Sequence, residues 1–224
     1  DAALALLRAG LSAVGYEKAR DIMILNAVIA DMVGNQEEYG EDLYFFTIMG
    51  TPSSAEPWGW QLDGHHLVIN YFVLGDQVVM TPTFMGSEPV RAENGPHAGV
   101  RVFGPEEERG LRMIRSLDAA QRATAIIAAE PIRQVLTPAF TDNYVLPYEG
   151  IAADALTAAQ QDTLRALIRE YVGNMDDGHA AVRMQEIDQY LDQTYFAWMG
   201  GAGDESVFYY RVHSPVILIE FDHL

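Results

Sequence analysis

Between Glu56 and Phe84, apolar and polar residues alternate through three successive runs, interrupted only at Asp63-Gly64 and Gly75-Asp76. Period-two alternation of this length belongs to strands half-buried in a sheet. The two dipeptides are favoured two-residue hairpin turns because they accept positive φ. The stretch therefore reads as a three-stranded antiparallel meander. Two-residue loops at both dipeptides set the pairing: Leu62 with His65, Gln61 with His66, Trp60 with Leu67, then Val73 with Val78 and Asn70 with Thr81. One face takes Trp58, Trp60, Leu62, His65, Leu67, Ile69, Tyr71, Met80, Pro82 and Phe84, and is assigned to the core. The other takes Gln61, His66, Asn70, Thr81 and Thr83 among Val68, Phe72 and Val79, a polar floor on which chemistry is expected.

The chain closes on a second alternating pair, Val207 to His213 and Val216 to His223. Tyr209, Arg211 and His213 share one face of the first run, and Glu220 and Asp222 share one face of the second. Whether those faces coincide depends on the register set at Ser214-Pro215. Two further strands are expected at Leu43–Met49 and Phe196–Met199, and a short one at Val100–Phe103. The glycine run from Gly200 precedes a strand instead of opening a helix, so it is no phosphate-binding fingerprint.

Apolar residues at helical spacing predict helices over 2–14, ended by Gly15, over 16–33, ended by Gly34, and over 106–116 and 178–193. Leu117-Asp118-Ala-Ala-Gln121 and Leu156-Thr157-Ala-Ala-Gln160 each carry a capping-box pattern, two similar helix starts rather than a repeat. Pro131 to Gly150 is a long irregular connection, either a site border or a plain crossover. These elements define an α+β fold, a mainly antiparallel sheet with helices packed on one face and at the ends, in a single domain over 1–224.

Charge narrows the partners. With 32 acidic against 14 basic residues the net charge is -18, which repels phosphate backbones and anionic lipid and argues against nucleic-acid and membrane partners. A small or polymeric polar ligand is the expected partner. No cysteine is present, which removes disulfides, thiolate metal sites and a cysteine nucleophile. The acidity, the lack of cysteine and a first residue other than Met lean towards an exported protein, periplasmic or secreted.

Gly50-Thr-Pro-Ser53, Glu56-Pro-Trp-Gly-Trp60, Gly64-His-His-Leu67, Thr81-Pro-Thr-Phe84, Tyr209-Tyr-Arg211 and Ile219-Glu-Phe-Asp222 resemble a mostly bacterial family catalogued as domain of unknown function thirty-five hundred. The likeness extends over nearly the whole chain. It implies no particular reaction. It does imply a chain incomplete at both ends relative to the family, whose members continue beyond the last strand into a segment with a His-x-His pair.

Two function classes follow. The leading one is a metal-dependent enzyme, more hydrolytic than oxidative, on a small or polymeric polar substrate. No Gly-x-Ser-x-Gly elbow or cysteine supplies a nucleophile, and a metal would generate one from water. In that reading His66 and Glu220, with His65 and His223, hold a divalent ion (zinc, iron or manganese). Asp222 serves as ligand or general base, Arg211 and Tyr209 position an oxyanion, and Gln61, Asn70, Thr81 and Thr83 bind substrate. Glu220 and Asp222, two residues apart on one strand face, lie about 6.6 Å from each other. The bland alternative for them is a salt link to Arg211, and for the histidines a bond at the core edge or to a loop. The second class is a non-catalytic ligand-binding module that uses the same polar sheet face.

Overall fold

The computed structural model describes residues 2–141 and 143–224, and its contacts fall into two compact units. The first unit comprises residues 1–103 and 173–180, the second 104–172 and 181–224. Each holds one five-stranded sheet with helices, so the fold is α+β and its sheets are mainly antiparallel.

In the first unit, α1 (Ala2–Gly10) and α2 (Ala13–Val33) precede β1 (Tyr44–Met49), β2 (Trp58–Gly64), β3 (Leu67–Leu74), β4 (Gln77–Val79) and β5 (Thr83–Met85). The helix break comes earlier than Gly15. Ser12 ends α1's run by capping α2, its side chain accepting the Gly15 N–H at 3.0 Å. Gly15 is instead a packing residue, since a Cβ there would stand 2.2 Å from the Asn174 carbonyl oxygen. Leu7, Ile22 and Leu25 from the helices and Leu11 from the link between them enclose a core with Trp60, Leu62, Leu67, Ile69 and Tyr71 from the sheet. Trp60, 1% exposed, stacks on Tyr71 with ring centroids 4.9 Å apart.

The meander forms, but its first turn lies one dipeptide later than the sequence suggests. Gly64 pairs with Leu67, Leu62 with Ile69 and Trp60 with Tyr71, which leaves His65-His66 as the turn. His66 takes the positive φ, at 118°. The slip changes each pairing by four residues, an even number, so the core face of β2 and β3 survives it. The second turn is at Gly75-Asp76 as expected, with Val73 opposite Val78. Beyond β4 the register shifts by an odd step. Ile69 pairs with Thr83 and Val68 with Phe84, so Thr83 faces the core side and Phe84 the outer side, the reverse of the sequence assignment. Val100–Phe103 makes no strand; Arg91 and Arg101 form an isolated bridge.

In the second unit, α3 (Gly104–Ser116), α4 (Ala119–Ala125) and α5 (Ala158–Val172) accompany β6 (Ile126–Ala128), β7 (Ile151–Ala152), β8 (Tyr195–Gly200), β9 (Phe208–His213) and β10 (Leu218–His223). The strand order is β10-β9-β8-β6, with β7 also on β8; β6 runs parallel to β8 and the other pairs are antiparallel. Both capping boxes are realised, and their glutamines bond one another: Gln121 Nε2 donates to Gln160 Oε1 at 3.0 Å. Phe196, Trp198, Phe208, Tyr210 and Val212 form the buried apolar face, covered by α3 and α5. Gly110 on α3 lets the Tyr210 ring approach, and the Tyr210 hydroxyl meets that of Tyr171 on α5 at 2.5 Å. A last helix, α6 (Asp177–Gln189), contributes its first residues to the first unit and the remainder to the second.

Candidate functional site

The outer face of the first sheet is built in rows by the register. Thr47, Gln61 and Asn70 stand side by side; Met49, Gly59, Phe72 and Val79 make the next row, and Phe45, Asp63, Val68 and Phe84 another. The expected floor of amides, hydroxyls and an imidazole is therefore a mostly apolar face around one amide pair. Gln61 Nε2 donates to Asn70 Oδ1 at 3.0 Å, and Asn70 Nδ2 donates to the Pro82 carbonyl at 2.8 Å. Phe72 remains 46% exposed and Phe45 70%. Gly59 carries no side chain because a Cβ would come 2.6 Å from the Tyr71 carbonyl oxygen, and its bare backbone leaves room on the face. A groove of about 280 Å³ opens there, lined by Met49, Trp58, Asn70, Phe72 and Thr81 among others. Asn70 and Thr81, two of the four expected substrate-binding residues, line it; Gln61 holds Asn70, and Thr83 is turned to the other side, its hydroxyl donating to the Met80 carbonyl at 3.2 Å. Met49, Trp58 and Phe72 also line the groove and were not named as site residues, because apolar side chains in a strand signal burial by default.

His65 and His66 do not take opposite faces of a strand. In the turn their rings lie against each other, with centroids 3.8 Å apart. His65 Nδ1 meets Asn26 Oδ1 at 2.7 Å and its ring packs edge-on against Tyr39. The His66 backbone carbonyl accepts from Gly86 N–H at 2.7 Å. Burial, then the neighbouring His65, lowers the pKa of His66, with Glu88 opposing. The pair thus ties the hairpin tip to α2 and to the segment after β5.

In the second unit, the polar faces of β9 and β10 do coincide. Ser214 accepts from the Val216 and Ile217 N–H groups and its own N–H donates to Ile217 O, a four-residue loop that sets His213 opposite Leu218. Arg211 then stands opposite Glu220, and Tyr209 opposite Asp222, on one side of the sheet. His223 falls on the opposite, apolar side, stacked on Phe208 at 4.6 Å, so it shares no face with Glu220.

The salt link to Arg211, the alternative considered for Glu220, is absent among the described residues. Glu220 instead accepts from Leu136 N–H at 2.6 Å, Thr137 N–H at 3.0 Å, the Thr137 hydroxyl and the Tyr209 hydroxyl at 2.7 Å. Arg211 Nη2 pairs with Glu149 Oε2 at 2.6 Å, and more weakly with the Pro147 carbonyl at 3.4 Å. Both partners come from the long connection over 129–150, which reaches the sheet where Gly150, at φ 91°, allows the chain within contact of Phe196. Tyr148 lies against His213 with centroids 4.3 Å apart. Burial and the bond to Glu220 hold the Tyr209 proton on, well above the ordinary phenol range. Burial and the Glu220 carboxylate raise the pKa of Asp222, with His223 opposing, while burial and Arg211 lower that of His213. Glu149 could not be found from sequence, since nothing in an irregular loop fixes which acid returns to which base.

His66 and His65 belong to the first unit and Glu220, Asp222 and His223 to the second. Among the described residues no group of three or more His, Asp or Glu side chains is arranged to hold a metal ion. No described helix is long and apolar enough to cross a membrane.

The architecture and its sites define an α+β protein with one solvent-facing and one self-covered sheet surface. Over residues 1–224 the sequence matches the family described as Protein of unknown function (DUF3500), and the chain belongs to that family. No curated protein and no solved structure shows a significant match to it.

Proposed function

We propose that the protein is a ligand-binding module whose site is the groove on the outer face of its first sheet. The observation that carries this reading is the groove's composition: the exposed side chains of Met49 and Phe72 flank Thr81 and the Asn70 amide, which Gln61 and the Pro82 carbonyl pin. Binding sites commonly combine an apolar lining with a few fixed polar groups. The ligand that suits it is neutral and rich in hydroxyls with an apolar face, as a sugar ring is, free or within a polymer. A net charge of -18 disfavours anionic polymers. A metal-dependent hydrolase draws less support, because Glu220 spends both oxygens on the 136–137 backbone, the Thr137 hydroxyl and Tyr209, and His66 sits in a turn.

The test is electrophoresis in native gels cast with soluble neutral glucans, mannans or xylans. Retardation of the unaltered protein by at least one polymer, lost in Asn70→Ala and Phe72→Ala, is expected. Equal mobility in every gel, or variants as retarded as the parent, would overturn the proposal.

A further inference from the structure

We propose that Arg211 is a binding site for a small organic carboxylate, and that Glu149 occupies it as an intramolecular stand-in. The guanidinium side chain is 0% exposed, whereas that of Glu149 is 43% exposed. A buried arginine facing a carboxylate ordinarily engages it through two parallel N–H donors. Here only Nη2 is used, by one carboxylate oxygen at 2.6 Å. Nε and Nη1 are buried and have no hydrogen-bond partner in good geometry among the described residues, although the guanidinium lies close enough to the Tyr209 hydroxyl to interact with it. Leaving such donors unpaired is costly, and a carboxylate free of the loop's constraint can satisfy more of them.

Charge balance permits the exchange. An incoming carboxylate replaces a carboxylate, so the charge around Arg211 is unchanged. Glu220, opposite Arg211 in the register, has its oxygens engaged by four donors and does not compete for the guanidinium. Asp222 Oδ1 lies on the same sheet side, buried and without a hydrogen-bond partner among the described residues, where it can accept from a hydroxyl or amine on the ligand. Since Glu149 is half in solvent and Arg211 is not, the acid is the component that leaves. The inference is independent of the groove on the first sheet.

Chemical rescue tests it. Glu149→Ala is expected to lower Tm, and sodium acetate to restore it, with half-maximal rescue at least tenfold below any concentration at which acetate stabilises the unaltered protein. Sodium chloride at the same ionic strength should not. If the variant fails to fold, the readout is acetate-dependent recovery of its near-UV circular dichroism. In the unaltered protein, high acetate should speed hydrogen exchange at the Tyr148, Glu149 and Gly150 amides. No acetate rescue, or equal rescue by chloride, would overturn the assignment.

Discussion

The two sheets meet the same design problem, one alternating face to bury and one left over, and resolve it in opposite ways. In the first, the leftover face is open and largely apolar, with Phe45, Phe72 and Phe84 in water around Gln61 and Asn70. In the second, the leftover face is charged and closed by the chain itself: Glu220 binds the 136–137 backbone and Arg211 binds Glu149. Charged groups are thus buried in one unit while aromatic rings are exposed in the other. Alternation dictates which residues share a side, and not which side is covered. An open apolar face signals something to bind, and a self-satisfied polar face signals a structural seal that a competing ligand must break.

The comparison breaks most visibly at the tryptophan beneath the open face. Trp60→Ala should lose about 3–5 kcal/mol in urea denaturation, because a fully buried ring leaves a cavity. Phe72→Ala, on the outer side, should change stability by no more than about 0.5 kcal/mol. Similar costs for the two would mean that the outer face is not outer.

That expectation separates what could be read in the sequence from what could not. The sharing of faces by Trp60, Leu62, Leu67, Ile69 and Tyr71 was legible, and an even register slip left it intact. The slip itself was not, because Asp63-Gly64 is a strong local turn signal that lost to cross-strand packing. Gly64 is needed in the strand, where a Cβ would strike the Tyr44 ring at 2.3 Å. The reversal of Thr83 and Phe84 was hidden for a similar reason: one unpaired position between β4 and β5 changes parity, and composition does not announce it. On the second sheet, the gathering of Tyr209, Arg211, Glu220 and Asp222 was legible once their faces coincided. Their partners were not, since those lie in an irregular loop far away in sequence.

The seal on the second sheet is the next point of attack. Glu220→Gln keeps one acceptor oxygen where two serve the Leu136, Thr137 and Tyr209 donors. A cost of about 1–3 kcal/mol is expected, read from the urea midpoint, with faster amide exchange at Leu136 and Thr137. If neither moves, Glu220 does not hold the loop.

Asp222→Asn should act in the opposite direction and more weakly. The folded-state pKa of Asp222 is raised, so the folded protein holds its proton more tightly than the unfolded chain, and stability falls as pH rises through that range. Removing the charge should raise Tm at neutral pH, and the gain should vanish below about pH 4, where the unfolded group is also protonated. A lowered Tm at neutral pH would show the carboxylate to be paired.

The smallest effect belongs to the hairpin tip. The pKa of His66 is lowered in the fold, so its unfavourable contribution is absent above the unfolded value of about 6.5 and grows as pH falls below it. Stability should decline on acidification from pH 7 to 5, and His66→Gln should flatten that decline. An unchanged slope would remove His66 from its cause.

The opposed state of the two faces is most directly read by hydroxyl-radical footprinting of the native protein, with oxidation of each ring quantified by peptide mass spectrometry. Phe45, Phe72 and Phe84 should oxidise readily while Tyr209 stays protected, although an exposed tyrosine reacts at least as fast as phenylalanine. Protected phenylalanines with an oxidised Tyr209 would contradict the account.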